Sequence, residues 1–113
     1  MTAYGLAHLP RAPIHDDVLE YLERIDATLV PFGGRFIVHG GTTEVLEGDW
    51  SGDLVIIEFP DMIKARAWYD SSTYQEIKPL RTRHLAGEVL LVEGVEPNHS
   101  SSRMAADLLS RRR

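Results

Sequence analysis

The stretch "DLVIIEF" (Asp53–Phe59) is apolar on both parities of its alternation from Leu54 through Ile57. A strand with one face in water carries polar residues at every second position, so this one reads as a central strand covered on both faces. Working upstream, "RFIVH" (Arg35–His39) is a second strand. The glycines Gly40 and Gly41 permit a bend or bulge there, and Thr43–Leu46 can resume as an extended arm. Between His15 and Val30, Val18, Leu22, Ile25 and Leu29 recur at helical spacing, while Asp17, Glu20, Glu23 and Arg24 fall largely outside that stripe. Pro31 with Gly33 and Gly34 stops this helix. At the start, "AYGLAHL" (Ala3–Leu9) sets Tyr4, Leu6 and His8 against the mostly small Ala3, Gly5, Ala7 and Leu9. That is a strand with one large face and one mostly small one.

Downstream, Asp61 is placed to cap the helix "MIKARAWY", whose Met62, Ala65 and Tyr69 share one stripe. "SSTYQEIKPLRTRHL" (Ser71–Leu85) predicts a second short helical piece interrupted at Pro79, and "GEVLLVEGV" (Gly87–Val95) the last strand. The order is β-α-β-β-α-β, an α+β arrangement of the ferredoxin-like kind. Right-handed crossovers then set the first and third strands side by side and put both helices on one face of the sheet. The other face would stay bare in a monomer, which is too much apolar sheet to leave in water. A homodimer that packs two such faces together covers it. Residues 1–95 form this domain. Residues 96–113, weakly amphipathic through Met104, Leu108 and Leu109, are expected to be a flexible or weakly helical tail.

Composition removes several classes of function. A chain of 113 residues with 43% apolar and 26% charged residues suits one globular domain. Cysteine is absent, so disulfides, thiolate nucleophiles and cysteine-ligated zinc or iron–sulfur clusters are excluded. No apolar run approaches the ~18 residues of a membrane span, and the N-terminus lacks a basic-then-apolar leader, so no membrane association and a cytoplasmic setting are expected. Residues 1–95 carry eight Lys/Arg against fifteen Asp/Glu, or −7, and residues 96–113 carry four against two, or +2. An acidic body repels phosphate backbones, which argues against nucleic acid as a partner.

"GGRFIVHGGTTEVLEGDW" followed by "VIIEFPDMIKARAWYDSSTYQEIKPLR" closely resembles the domain of unknown function 1330, within the dimeric α+β barrel superfamily. The shared features are Gly33-Gly34, Gly40-Gly41, Glu47-Gly48, Glu58-Phe59-Pro60, Ala67-Trp68-Tyr69, Tyr74-Gln75 and Arg81. The resemblance implies a ferredoxin-like protomer whose sheet packs against that of its partner. It implies no particular activity. The superfamily includes cofactor-independent monooxygenases, isomerases, chlorite dismutases and haem-degrading enzymes, with pockets typically between sheet and helices. A haem axial ligand such as His84 would rest on that likeness alone.

Trp68, Tyr69 and Tyr74 place three of the nine aromatics within seven residues. They serve either as core packing or as the wall of a pocket for a flat organic ligand. Tyr69, sharing a stripe with Met62 and Ala65, is expected to face the sheet, and Trp68, about 100° away around the helix, to pack nearer the periphery. Tyr74 and Arg81 are expected on an irregular segment where their polar ends edge the pocket, Arg81 offering a planar fork to a carboxylate. Glu58 interrupts an apolar run. It is either an exposed strand end, a structural partner of Arg35 or Arg81, or a general base poised by desolvation. His8 and His39 end strands and would complete an acid–base set with Glu58 if one sheet end gathers all three. Neither a metal site nor a cofactor is expected. No HxH or HExxH spacing exists, "GGRFIVHGG" lacks a phosphate-loop pattern, and no GxSxG occurs. Two functions remain: binding a small organic metabolite, with or without cofactor-independent oxygenase- or isomerase-like chemistry, and a non-catalytic ligand-binding or dimerisation module.

Overall fold

A computed structural model describes residues 1–112. Strands β1 (Ala3–Leu9), β2 (Arg35–His39), β3 (Asp53–Phe59) and β4 (Glu88–Glu93) form one antiparallel sheet in the order β2-β3-β1-β4. Helix α1 (Asp16–Leu29) and a 3₁₀ turn (Val30–Phe32) link β1 to β2. Helices α2 (Met62–Asp70) and α3 (Ser72–Thr82) link β3 to β4, and α4 (Ser101–Arg111) follows the sheet. This is the ferredoxin-like α+β pattern, with β1 and β3 adjacent at the centre. Among the described residues no helix is long and apolar enough to cross a membrane.

Helix starts follow local chemistry. The Asp61 carboxylate accepts from the Lys64 amide at 2.7 Å, and the Ser71 and Ser100 hydroxyls do the same for the amides of Tyr74 and Arg103. The expected break at Pro79 does not occur: α3 runs through it. Proline removes one amide donor from the ladder, and the buried stripe Tyr74, Ile77 and Arg81 on the same helix outweighs that loss. The tail is helical as α4, yet it buries no residue.

Paired residues on neighbouring antiparallel strands point to the same side. Ala3, Gly5 and Ala7 of β1 therefore share the helix-covered side with Val55, Ile57 and Phe59 of β3 and with Val89 and Leu91 of β4. On the open side a row of aliphatic side chains, Val38, Ile56, Leu6 and Leu90, crosses all four strands, flanked by Tyr4, Leu54 and Val92. A bulge lies at Ile37, between Phe36 and Val38, three residues before the glycine pair where the bend was expected. Its extra residue puts Phe36 and His39 on the helix side and Val38 on the open side. Gly40 follows with φ +68°, whereas Gly41 has no positive φ. Thr43–Leu46 are exposed and form no strand.

The core lies between the sheet and α1–α3. Tyr21, Ile25 and Leu29 of α1, Ala65 and Trp68 of α2, and Tyr74 and Ile77 of α3 close over Ala3, Ile57 and Phe59.

Candidate functional site

The small side of β1 leaves the middle of that core unfilled. A cavity of about 80 Å³ lies there, room for about two or three waters. Its floor is Gly5, Ala7, Val55, Ile57, Val89 and Leu91, and Phe36 and His39 stand on one wall with their rings stacked 4.1 Å apart. The roof comes from three helices: Tyr21 of α1, Trp68 of α2, and Tyr74 and Arg81 of α3.

Tyr74 and Arg81 stand seven residues apart on α3, two turns on the same face. The Tyr21 and Tyr74 hydroxyls are hydrogen-bonded at 2.9 Å, and Arg81 Nη2 donates to Tyr74 Oη at 3.5 Å. The guanidinium also lies 5.6 Å from the centre of the Tyr21 ring, within cation–π range. Trp68 packs on Tyr74 with ring centres 4.1 Å apart. Its indole N–H donates to Thr28 Oγ1 at 3.0 Å, and Thr28 in turn donates to the Ile25 carbonyl at 2.6 Å.

Charge at this site is unusual. Arg81 is 6% exposed, and among the described residues no carboxylate pairs with it. Burial is the largest influence on its charge and opposes it, while the Tyr74 and Tyr21 hydroxyls act the other way. Burial, and then the neighbouring Tyr74, push the Tyr21 hydroxyl far above the usual phenol range. Tyr21 is therefore a neutral hydrogen-bonding group, not a base. The apolar cavity thus ends in a permanent cation that has hydroxyls but no anion for company.

At the start of α1, His84 Nε2 meets Asp17 Oδ2 at 2.8 Å. This hydrogen bond, opposed by partial burial and aided by the charge of His15, lowers the Asp17 pKa.

Of the residues singled out in the sequence, Trp68, Tyr74, Arg81 and His39 line the cavity and the others do not. Trp68 and Tyr69 have exchanged their expected places. Trp68 is 3% exposed beneath the helices. Tyr69 lies in a shallow groove with Met62, Arg66 and β4, and Lys78 Nζ sits 5.2 Å from the centre of its ring. The buried stripe of α2 is Ala65 and Trp68, one helical turn apart. Glu58 projects from the open face and takes the Arg35 guanidinium at 2.9 Å, the structural pairing among its alternatives. His8 is also on the open face, at the far end of β1, where Trp50 stacks on it at 4.3 Å. Glu58, His8 and His39 are therefore not gathered within one protomer. Tyr21 was missed in the sequence, although it sits three residues after Val18 and four before Ile25 in the apolar stripe.

An antiparallel four-stranded sheet with helices and cavity on one side defines a ferredoxin-like α+β protein. Residues 2–95 match the family described as Domain of unknown function (DUF1330), and the chain belongs to that family. No curated protein matches it. Among solved structures, it is similar to a dimeric ferredoxin-like protein of unknown function from Jannaschia sp. CCS1, with 14% identity and a TM-score of 0.66 over 83% of this chain and 100% of that one. RPA0582, a protein of unknown function from Rhodopseudomonas palustris, aligns with 17% identity and a TM-score of 0.61 over 85% of this chain and 84% of that one. A variant of SnoaB, a cofactor-independent oxygenase from Streptomyces nogalater, aligns with 12% identity and a TM-score of 0.60 over 88% and 98%.

Proposed function

We propose that the protein is a homodimeric small-molecule-binding protein. Its cavity takes a compact, largely apolar ligand whose single anionic group docks on Arg81 and the Tyr74 hydroxyl. The observation that carries this reading is Arg81 itself. A buried cation without a counter-charge is costly unless an anion arrives to meet it. The ligand's flat apolar part would rest over Gly5 and Ala7 beneath Trp68, with His39 beside it. Dimerisation is supported by the aliphatic row Val38, Ile56, Leu6 and Leu90, which in a single copy leaves Leu90 48% exposed, and by the dimeric neighbour of the same fold.

The experiment is a thermal-shift and calorimetric screen with small carboxylates, from short aliphatic ones up to benzoate. Carboxylates small enough for the cavity should raise the melting temperature of the wild type, and Arg81→Met should abolish the shift. Tyr69→Phe should bind as the wild type does, because Tyr69 lies outside the cavity. Equal binding by Arg81→Met would overturn the reading.

A second reading is favoured by the shared fold with SnoaB. A buried cation can also stabilise an oxyanion that develops during reaction. In that case His39 takes a proton from an activated CH₂, and Arg81 stabilises the enolate or phenolate. Dioxygen then converts CH₂ to C=O, its second oxygen leaving as water. Oxygen uptake with a small phenol bearing an activated CH₂, absent in Arg81→Met, tests this chemistry.

A further inference from the structure

A second group of side chains stands where the start of α1 meets the turn after α3. His15, Asp17 and His84 each bring one donor atom to within 4.8 Å of the others. His84 Nε2 is 2.8 Å from Asp17 Oδ2, and His15 Nδ1 is 3.7 Å from the same oxygen. Two donors held about 2.0–2.1 Å from one tetrahedral ion stand about 3.4 Å apart. The two separations bracket that value.

An Asp17–His84 pair pins α1 to the end of α3, and His15 caps α1 beside it. The His15 ring lies over the His84 ring, with centres 3.6 Å apart and planes 18° from parallel. Two imidazoles and a carboxylate thus stand together. Near-parallel rings aim their lone pairs side by side, so convergence on one ion requires His15 to turn. Its side chain is 50% exposed and free to do so. The His15 Nδ1 lone pair now accepts the Asp17 amide at 3.0 Å, and metal capture would exchange that one hydrogen bond for a coordinate bond.

We propose that His15, Asp17 and His84 form a binding site for a first-row divalent transition ion of the zinc type. Two imidazole nitrogens and one carboxylate oxygen suit Zn²⁺, Ni²⁺ or Cu²⁺, whereas Mg²⁺ and Ca²⁺ require a shell of oxygens. Three protein ligands leave a fourth position open to water, as catalytic zinc sites do and structural ones do not. The ion would stand at the cavity's rim, since Val18 and Leu85, the residues directly after Asp17 and His84, line the cavity. This site does not depend on the anion-binding reading, and either can fail alone.

The test uses the untagged, full-length protein stripped of metal and titrated calorimetrically with ZnCl₂. One ion per chain should bind saturably. His84→Ala should weaken binding by more than the roughly tenfold that loss of even a supporting group costs. His15→Ser should weaken it equally while keeping a hydroxyl to cap the helix, which guards against loss through misfolding. His99→Ala, at an exposed histidine in the segment before α4, should leave binding unchanged. With Cu²⁺, electron paramagnetic resonance should show coupling to two nitrogens in the wild type and to one in His15→Ser. Absence of saturable binding would overturn the proposal. So would binding retained in the His15→Ser, His84→Ala double variant, or two-nitrogen coupling that survives His15→Ser.

Discussion

Replacing Arg81 by Met should make the unliganded protein more stable, and this is the sharpest consequence of a cation kept ready for an absent anion. Methionine keeps the length and most of the volume of the stem, so little cavity is added. Three terms change. The hydrogen bond to Tyr74 is lost, but at 3.5 Å it lies beyond ordinary hydrogen-bond length and contributes little. The cation–π contact with Tyr21 is lost, about 1 kcal/mol. Against these, the desolvation penalty of a charge 6% exposed disappears, an effect of several kcal/mol. No polar group is orphaned, because the Tyr21 and Tyr74 hydroxyls still bond to each other at 2.9 Å. The net expectation is a gain of about 1–2 kcal/mol, or a melting temperature higher by about 4–8 °C. Urea denaturation at fixed protomer concentration measures it, since an associating protein's apparent stability depends on concentration. A loss of more than about 1 kcal/mol would refute the reasoning and make Arg81 a structural bolt.

Other expectations follow from the same geometry. Trp68→Phe removes the indole donor to Thr28 and leaves a void under α2, and should cost about 2 kcal/mol in denaturation followed by circular dichroism. Gly40→Val forces a branched residue to φ +68° and should cost about 1–2 kcal/mol, whereas Gly41→Val should cost less than about 0.5 kcal/mol; equal thermal shifts would contradict this. Ile56→Lys buries a charge at the middle of the open face and should yield monomers in light scattering at low micromolar concentration. A persistent dimer would move the interface elsewhere.

The fold was legible because its signals are local and repeated. The two-sided apolarity of Leu54–Ile57 marks a central strand wherever it occurs, and the small side of Ala3–Leu9 is visible by alternation alone. The cavity was half legible. Tyr74 and Arg81 were singled out, but an expected break at Pro79 hid the fact that 74, 77 and 81 form a helical stripe. Tyr69 was favoured over Trp68 because α2 is short, and a three-residue stripe does not fix which flank turns inward; tertiary packing against Phe59 and Thr28 decides that. The bulge at Ile37 reverses the facing of every later residue of β2, and no glycine marks it. His15, Asp17 and His84 meet across 67 positions of sequence, a distance at which spacing carries no signal.

The small side of β1 has a consequence for how ligand preference is divided over the molecule. Depth beneath the roof is set by what Gly5 and Ala7 leave out, while charge recognition is set by α3. A methyl added at Gly5 would rest at 3.4 Å from Phe59 and 3.5 Å from Leu91, ordinary contact distances that the backbone there accepts. Size and charge selectivity therefore sit on separate elements, and single substitutions on the floor can retune which molecules fit without disturbing the group that anchors them.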